Sequence, residues 1–269
     1  MELMPFELLT FQNLLPAFAL VLARVSGVVI GVPMLSSVQI PREAKVWLTV
    51  TLSLMVFPLA APHLPVGLTL GQSVVGMVGE FIIGEVIGLG TGLVFVAAEV
   101  AGKLVSHQAG LSIGTTINPF FDEESMVLDQ LWFFTAAMLF LALRGHVLVV
   151  TALLDSILTI PPMMAHIDNS AGEFAMAMLQ STFQLGLRIA GPAIVALMLT
   201  SLVMGFLTRT MPQINVLSVG FAIKILVALL MVSMTISASE DVLTHAMQLG
   251  FDQISALFEQ MSEVIKRGG

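Results

Sequence analysis

Charge is what this 269-residue sequence has least of: 10% of its residues are Asp, Glu, Lys or Arg, where a soluble domain carries about 25%. With 57% hydrophobic residues, the chain lacks the polar surface to cover itself in water, so it belongs in a membrane or in a very apolar assembly. Positive charge is the scarcer sign, and the net charge of -8 excludes nucleic-acid binding as its main business, which needs basic patches. Cysteine is absent, which excludes disulfides and thiolate metal sites and leaves the redox compartment open. The five histidines form no HExxH and no paired metal spacing, and there is no P-loop or dinucleotide fingerprint. No metal or cofactor is expected, and any energy for transport comes from outside this chain. The N-terminus is acidic (Glu2, Glu7) and the first apolar block exceeds a signal-peptide core, so no cleaved targeting segment is expected.

What is present is a series of apolar blocks: Leu14 to Met34, Val46 to Ala61, Val74 to Ala98, Leu131 to Leu154, Phe174 to Leu207 and Val216 to Ile236. Most are long enough to cross a bilayer, which takes about 20 residues. The second is short and is closed by Pro58, Pro62 and Pro65. The fifth is longer than one upright span needs, and Gly191-Pro192 predicts a kink in it. His146, beside Arg144 and Gly145, reads as a residue that caps or packs at a bend. Beyond the sixth block, Ser237 to Glu240 has capping-box spacing. Ile254, Leu257, Phe258 and Met261 then follow the i, i+3, i+4, i+7 rule of one apolar helix face. The expected tail is a separate amphipathic helix. Arg42, Lys45 and Arg209 place two short loops in the cytoplasm by the positive-inside rule, and Trp47 and Trp132 read as interfacial anchors. The fold class is therefore all-α, a polytopic set of membrane-type helical hairpins.

Between the third and fourth blocks the chain turns polar: KLVSHQAGLSIGTTINPFFDEESMVLD, Lys103 to Asp129. Gly110 and Gly114 permit backbone angles other residues avoid, and Asn118-Pro119 is a turn signal. The acidic run Asp122, Glu123, Glu124 closes it. Leu111, Ile113, Ile117, Phe120 and Phe121 are too apolar for plain disorder, so a compact loop that packs against something is expected. Gly110-Leu111-Ser112-Ile113-Gly114 matches the G-x-S-x-G nucleophile elbow, but that motif requires a strand before it. The preceding residues look helical.

Five charges lie inside apolar blocks: Arg24, Glu80, Glu85, Arg188 and Lys224. A charge at a bilayer centre costs about 2.5–3.5 kcal/mol even on the lenient scale, so they face protein, water or each other. Two readings stay open: ion pairs within one bundle, or contacts between subunits along a polar conduit. Gly27 and Gly31, and Gly84, Gly88 and Gly92, have the small-xxx-small spacing that lets helix backbones approach closely. Most of the 18 methionines read as adaptable core filling.

The runs RTMPQINVLSVGFAIK (Arg209 to Lys224) and RGHVLVVTALLDSILTIPP (Arg144 to Pro162) strongly resemble the FliR family of flagellar export-gate proteins, whose injectisome relatives are called SctT or SpaR. The resemblance covers essentially the whole chain. It implies a FliP-like segment over 1–173, a FliQ-like hairpin and amphipathic helix over 174–269, and no enzyme activity. It implies partners FliP, FliQ and FlhB in the bacterial inner membrane, within the flagellar basal body, and unfolded flagellar subunits as cargo driven by the proton gradient and an associated ATPase. It implies that the loop, 106–125, plugs the closed pore, with Gly110, Leu111, Ser112, Ile113, Gly114, Asn118, Pro119, Phe120 and Phe121 as its candidates. Arg209, Pro212, Gln213 and Asn215 would form a hairpin tip near the cytoplasmic entrance. The rival classes are a secondary transporter for a small solute, with an interrupted helix at Gly191-Pro192, and an intramembrane serine hydrolase.

Overall fold

The structure, a computed structural model, describes residues 11–37, 39–65, 67–111, 127–164, 169–211 and 216–268. The described residues are helical with no strand. In order they form α1 (Phe11–Gly31), the short α2 (Pro33–Ser36), α3 (Arg42–Ala60) with a 3-10 turn over Ala61–His63, and α4 (Leu70–Ala109). Then follow α5 (Val127–Ala142), α6 (Gly145–Thr159), α7 (Asn169–Thr210) and α8 (Val216–Gly268). Five of these helices are long and apolar enough to cross a membrane, and six spans result if the bent pair α5–α6 counts as one.

Local chemistry sets the helix ends. Thr69 and Gln72 form a reciprocal capping box: the Thr69 N–H donates to Gln72 Oε1 at 3.1 Å and the Gln72 N–H to Thr69 Oγ1 at 3.4 Å. At the other end of α4, Gly110 takes a φ of +85°. Its N–H donates to the His107 carbonyl at 3.1 Å and the Leu111 N–H donates to the Ser106 carbonyl at 3.0 Å, the two bonds of a Schellman cap. Val32 breaks the chain between α1 and α2, with Pro33 starting the new helix.

The bend read at Arg144, Gly145 and His146 is present: the chain turns by 67° between α5 and α6, and Arg144 is left-handed there, φ 57° and ψ 34°. Two expectations are corrected. The tail is not a separate helix capped at Ser237, because α8 runs unbroken from Val216 to Gly268; no proline or helix-ending glycine interrupts its backbone ladder. Trp132 is not an interfacial anchor, since it is 1% exposed, while Trp47 is 70% exposed as an anchor would be. The amphipathic face of the tail is as expected, with Ile254, Leu257 and Phe258 buried and Glu259 and Gln260 exposed.

The chain divides into two compact units. One comprises Met1–Leu93, Arg144–Leu179 and Met247–Gly269, the other Val94–Leu143 and Gln180–Ala246. The first has a core of Leu20, Ile87, Leu153, Ile157, Ile160 and Ile254, with Phe18 and Phe57 edge to face at 5.7 Å. The second is built on Trp132, Phe95, Phe140, Leu197 and Leu243, with the Phe95 ring 5.2 Å from Phe140 and 5.6 Å from Phe133. Burial is uneven along the chain. The apolar 18-residue window of the span Gly71–Ala109 is 67% buried, whereas Ser218–Thr235 is 17% buried. Apolar residues such as Phe206 and Leu226 stand on the surface, where a chain of this composition needs lipid or other proteins around it.

Candidate functional site

The first unit is closed by a glycine crossing and an ion pair on the same two helices. Gly27 and Gly31 of α1 lie against Gly84 and Gly88 of α4; their spacing marked a helix contact, and the structure names its partner. A β-carbon on Gly31 would sit 2.9 Å from the Gly88 Cα, and one on Gly84 would sit 2.9 Å from the Gly27 Cα and strike the Arg24 carbonyl oxygen. Only glycine permits this approach, and it brings the side chains one turn away into contact. Arg24 Nε donates to Glu80 Oε2 at 2.6 Å, with both side chains 1% exposed. Arg24 Nη1 donates to Ser156 Oγ at 3.3 Å and Nη2 to the Ile160 carbonyl at 3.0 Å. The second carboxylate oxygen, Glu80 Oε1, accepts the Met163 N–H at 2.9 Å. For these two residues the open alternative closes on pairing inside the chain.

The other three midspan charges differ. Glu85 is half-buried beside Gly31, Lys224 is half-buried and Arg188 is exposed. No ion pair among the described residues joins any of them. The stretch from Phe174 to Ser239 carries Arg188, Arg209 and Lys224 and no acid at all, so none of these cations has a counter-ion within that stretch.

In the second unit the two ends of the polar loop are tied together. Ser106 Oγ donates to Asp129 Oδ1 at 3.1 Å, and a β-carbon on Gly102 would lie 2.6 Å from the Asp129 Cα. Asp129 is 6% exposed. Of the loop residues singled out in the sequence, Gly110 and Leu111 form the cap of α4. Ser112, Ile113, Gly114, Asn118, Pro119, Phe120 and Phe121 lie outside the described residues, as do Pro212, Gln213 and Asn215. Arg209 is exposed in the last turn of α7. The residue run before Ser112 is helix, so the nucleophile elbow lacks its strand. The backbone of α7 is helical through Gly191-Pro192, so the interrupted helix of a solute transporter is lacking there. No cluster of metal-ligating side chains occurs among the described residues.

Sequence reasoning missed Ser156, the Ile160 carbonyl, the Met163 N–H and the Ser106–Asp129 bond. Neither a backbone group nor a lone serine on an apolar helix signals a distant partner. It also missed a second close approach in the first unit, where a β-carbon on Gly250 of α8 would strike the Gly90 carbonyl oxygen of α4, and one on Gly90 would press on Ile254.

Residues 15–250 match the family of bacterial export proteins, family 1, a match that takes in α4 and both units. The chain belongs to that family. Its relatives include the flagellar biosynthetic protein FliR of Pectobacterium carotovorum subsp. carotovorum, 28% identical over 246 residues, which are 89% of this chain and 91% of that one. The FliR of Bacillus subtilis is 25% identical over 229 residues, 84% of this chain and 88% of its own. That of Escherichia coli is 27% identical over 209 residues, 77% and 79%. The family match begins one residue into the first apolar block and ends at Gly250, so the glycine crossing, the ion pair and the loop all fall within it.

Proposed function

We propose that this chain is a non-enzymatic membrane subunit of the flagellar protein-export apparatus. In this reading it assembles with FliP, FliQ and FlhB-type subunits in the bacterial inner membrane, within the basal body, and lines the pore that passes unfolded flagellar proteins. The observation that carries it is the continuous family match over residues 15–250, together with FliR relatives that align over most of both chains. The exposed apolar surfaces of α7 and α8 support it, because they need covering and the partner subunits would supply the cover. Residues 1–173 are assigned the FliP-like role and 174–269 the FliQ-like hairpin. Glu85, Arg188 and Lys224 are assigned to contacts with neighbouring subunits, and Arg209, Pro212, Gln213 and Asn215 to the cytoplasmic tip.

The loop 106–125 is assigned the plug. Its residues suit that role. Leu111, Ile113, Phe120 and Phe121 are apolar enough to seal a lumen against ions, and Gly110 and Gly114 let the backbone turn aside. Two experiments test the proposal. Weighing the intact complex purified from membranes should return this chain with FliP- and FliQ-type partners, and recovery of a lone, compact monomer would reject the assignment. Deleting Gly110 to Phe121 should raise ion leak through a correctly assembled complex, and unchanged conductance would remove the plug role.

A further inference from the structure

The Arg24–Glu80 pair is poorly explained as a source of stability. Removing two charges from water costs about as much as their attraction returns, and replacing such a pair by apolar residues is often neutral or favourable. What the pair does uniquely is visible in where its remaining valences go. Arg24 spends Nη2 on the carbonyl of Ile160, and Glu80 spends Oε1 on the N–H of Met163. Both targets are backbone groups of the turn that follows α6. Ser156 fits the same scheme, because its hydroxyl proton is already donated to the Leu153 carbonyl at 2.7 Å, which leaves a lone pair for Arg24 Nη1.

The turn itself is strained. Met163 has a φ of +67°, a left-handed conformation that costs a residue with a β-carbon about 1–2 kcal/mol. The Met164 N–H donates to the Pro161 carbonyl at 3.1 Å across it. Strain of this kind persists only where the surroundings hold it. Here the surroundings are two pairs of residues spaced one helical turn apart: Leu20 and Arg24 on α1, and Gly76 and Glu80 on α4. Gly76 leaves the hollow into which the Met163 side chain fits, since a β-carbon there would lie 3.1 Å from Met163 Cγ and 2.9 Å from Leu20 Cδ2.

We infer that Leu20, Arg24, Gly76 and Glu80 form a socket that seats the Ile160–Met163 turn. Arg24 and Glu80 are then positioning residues that fix where the chain leaves α6 on its way to α7. Releasing the turn strands a guanidinium N–H and a carboxylate oxygen in an apolar bundle, so it is either fully seated or fully out.

The test is amide hydrogen exchange at Met163, read by mass spectrometry on the assembled membrane complex. In R24M/E80M both charges and the acceptor are gone; in R24M/E80Q the pair is also neutral, but the Gln carbonyl still accepts the Met163 N–H. Exchange at Met163 should be at least about tenfold faster in the first than in the second, equivalent to about 1.4 kcal/mol, with α1 and α4 equally protected in both. Equal exchange in the two variants, or wild-type protection in R24M/E80M, overturns the socket. Should R24M/E80M fail to accumulate, G76V decides: it fills the hollow without touching the ion pair and should speed exchange at Met163 while α1 stays protected, and unchanged exchange would overturn the socket equally.

Discussion

Replacing Gly84 by alanine adds a single methyl group at the tightest place in the first unit. The new β-carbon would meet three backbone atoms: the Arg24 carbonyl oxygen, the Gly27 Cα at 2.9 Å and the Val28 nitrogen at 2.9 Å. Ordinary contact begins near 3.4 Å, and backbone atoms of two long helices cannot swing aside as a side-chain tip does. The helices must separate by about 0.5–1 Å, a gap that forfeits roughly a quarter to a half of each dispersion contact along the crossing. Overpacking of this kind costs about 1–3 kcal/mol, and the 2.6 Å ion pair one turn away is pulled with it. At about 2–4 °C per kcal/mol for a chain of this size class, G84A should unfold several degrees below the wild type. Gly79, in the same helix, has nothing within 4 Å of an added β-carbon. There alanine should gain about 0.5–1 kcal/mol through lost backbone freedom in the unfolded chain. Thermal unfolding of the detergent-solubilised complex, followed by light scattering, compares the two. A G84A protein that melts with the wild type would refute the crossing as the organising contact.

Other outcomes follow from single contacts. S106A removes the serine hydroxyl that donates to the buried Asp129 carboxylate, a bond to a charged group worth about 1.5–3 kcal/mol; in a double-mutant cycle of thermal stability S106A and D129L should be strongly non-additive, and additive losses would show that the bond contributes nothing. R144G should stabilise by up to about 1 kcal/mol because the left-handed bend no longer carries a β-carbon, read as a raised unfolding temperature; a lowered one would mean the Arg144 side chain matters more than its backbone. G250A should loosen the C-terminal end of α8 from α4, seen as faster proteolysis beyond Gly250, and unchanged cleavage would deny the second close approach a role.

The sequence by itself determined the class of the chain. Its shortage of charge and its block lengths decide that it is an all-α membrane-type protein, and glycine spacing marks the faces of α1 and α4 that another helix can approach closely, because both are local properties. The tail face of Ile254, Leu257 and Phe258 was legible for the same reason. Five charges inside apolar blocks could be named, but not their partners. Only tertiary structure decided that Arg24 and Glu80 neutralise each other across 56 residues of sequence, while Arg188 and Lys224 meet no acid among the described residues. It alone decided that α8 runs on through Ser237 and that Trp132 is interior. A helix period says which side of a segment is apolar, whereas a counter-ion or a buried ring depends on what another segment places opposite, and no local pattern records that.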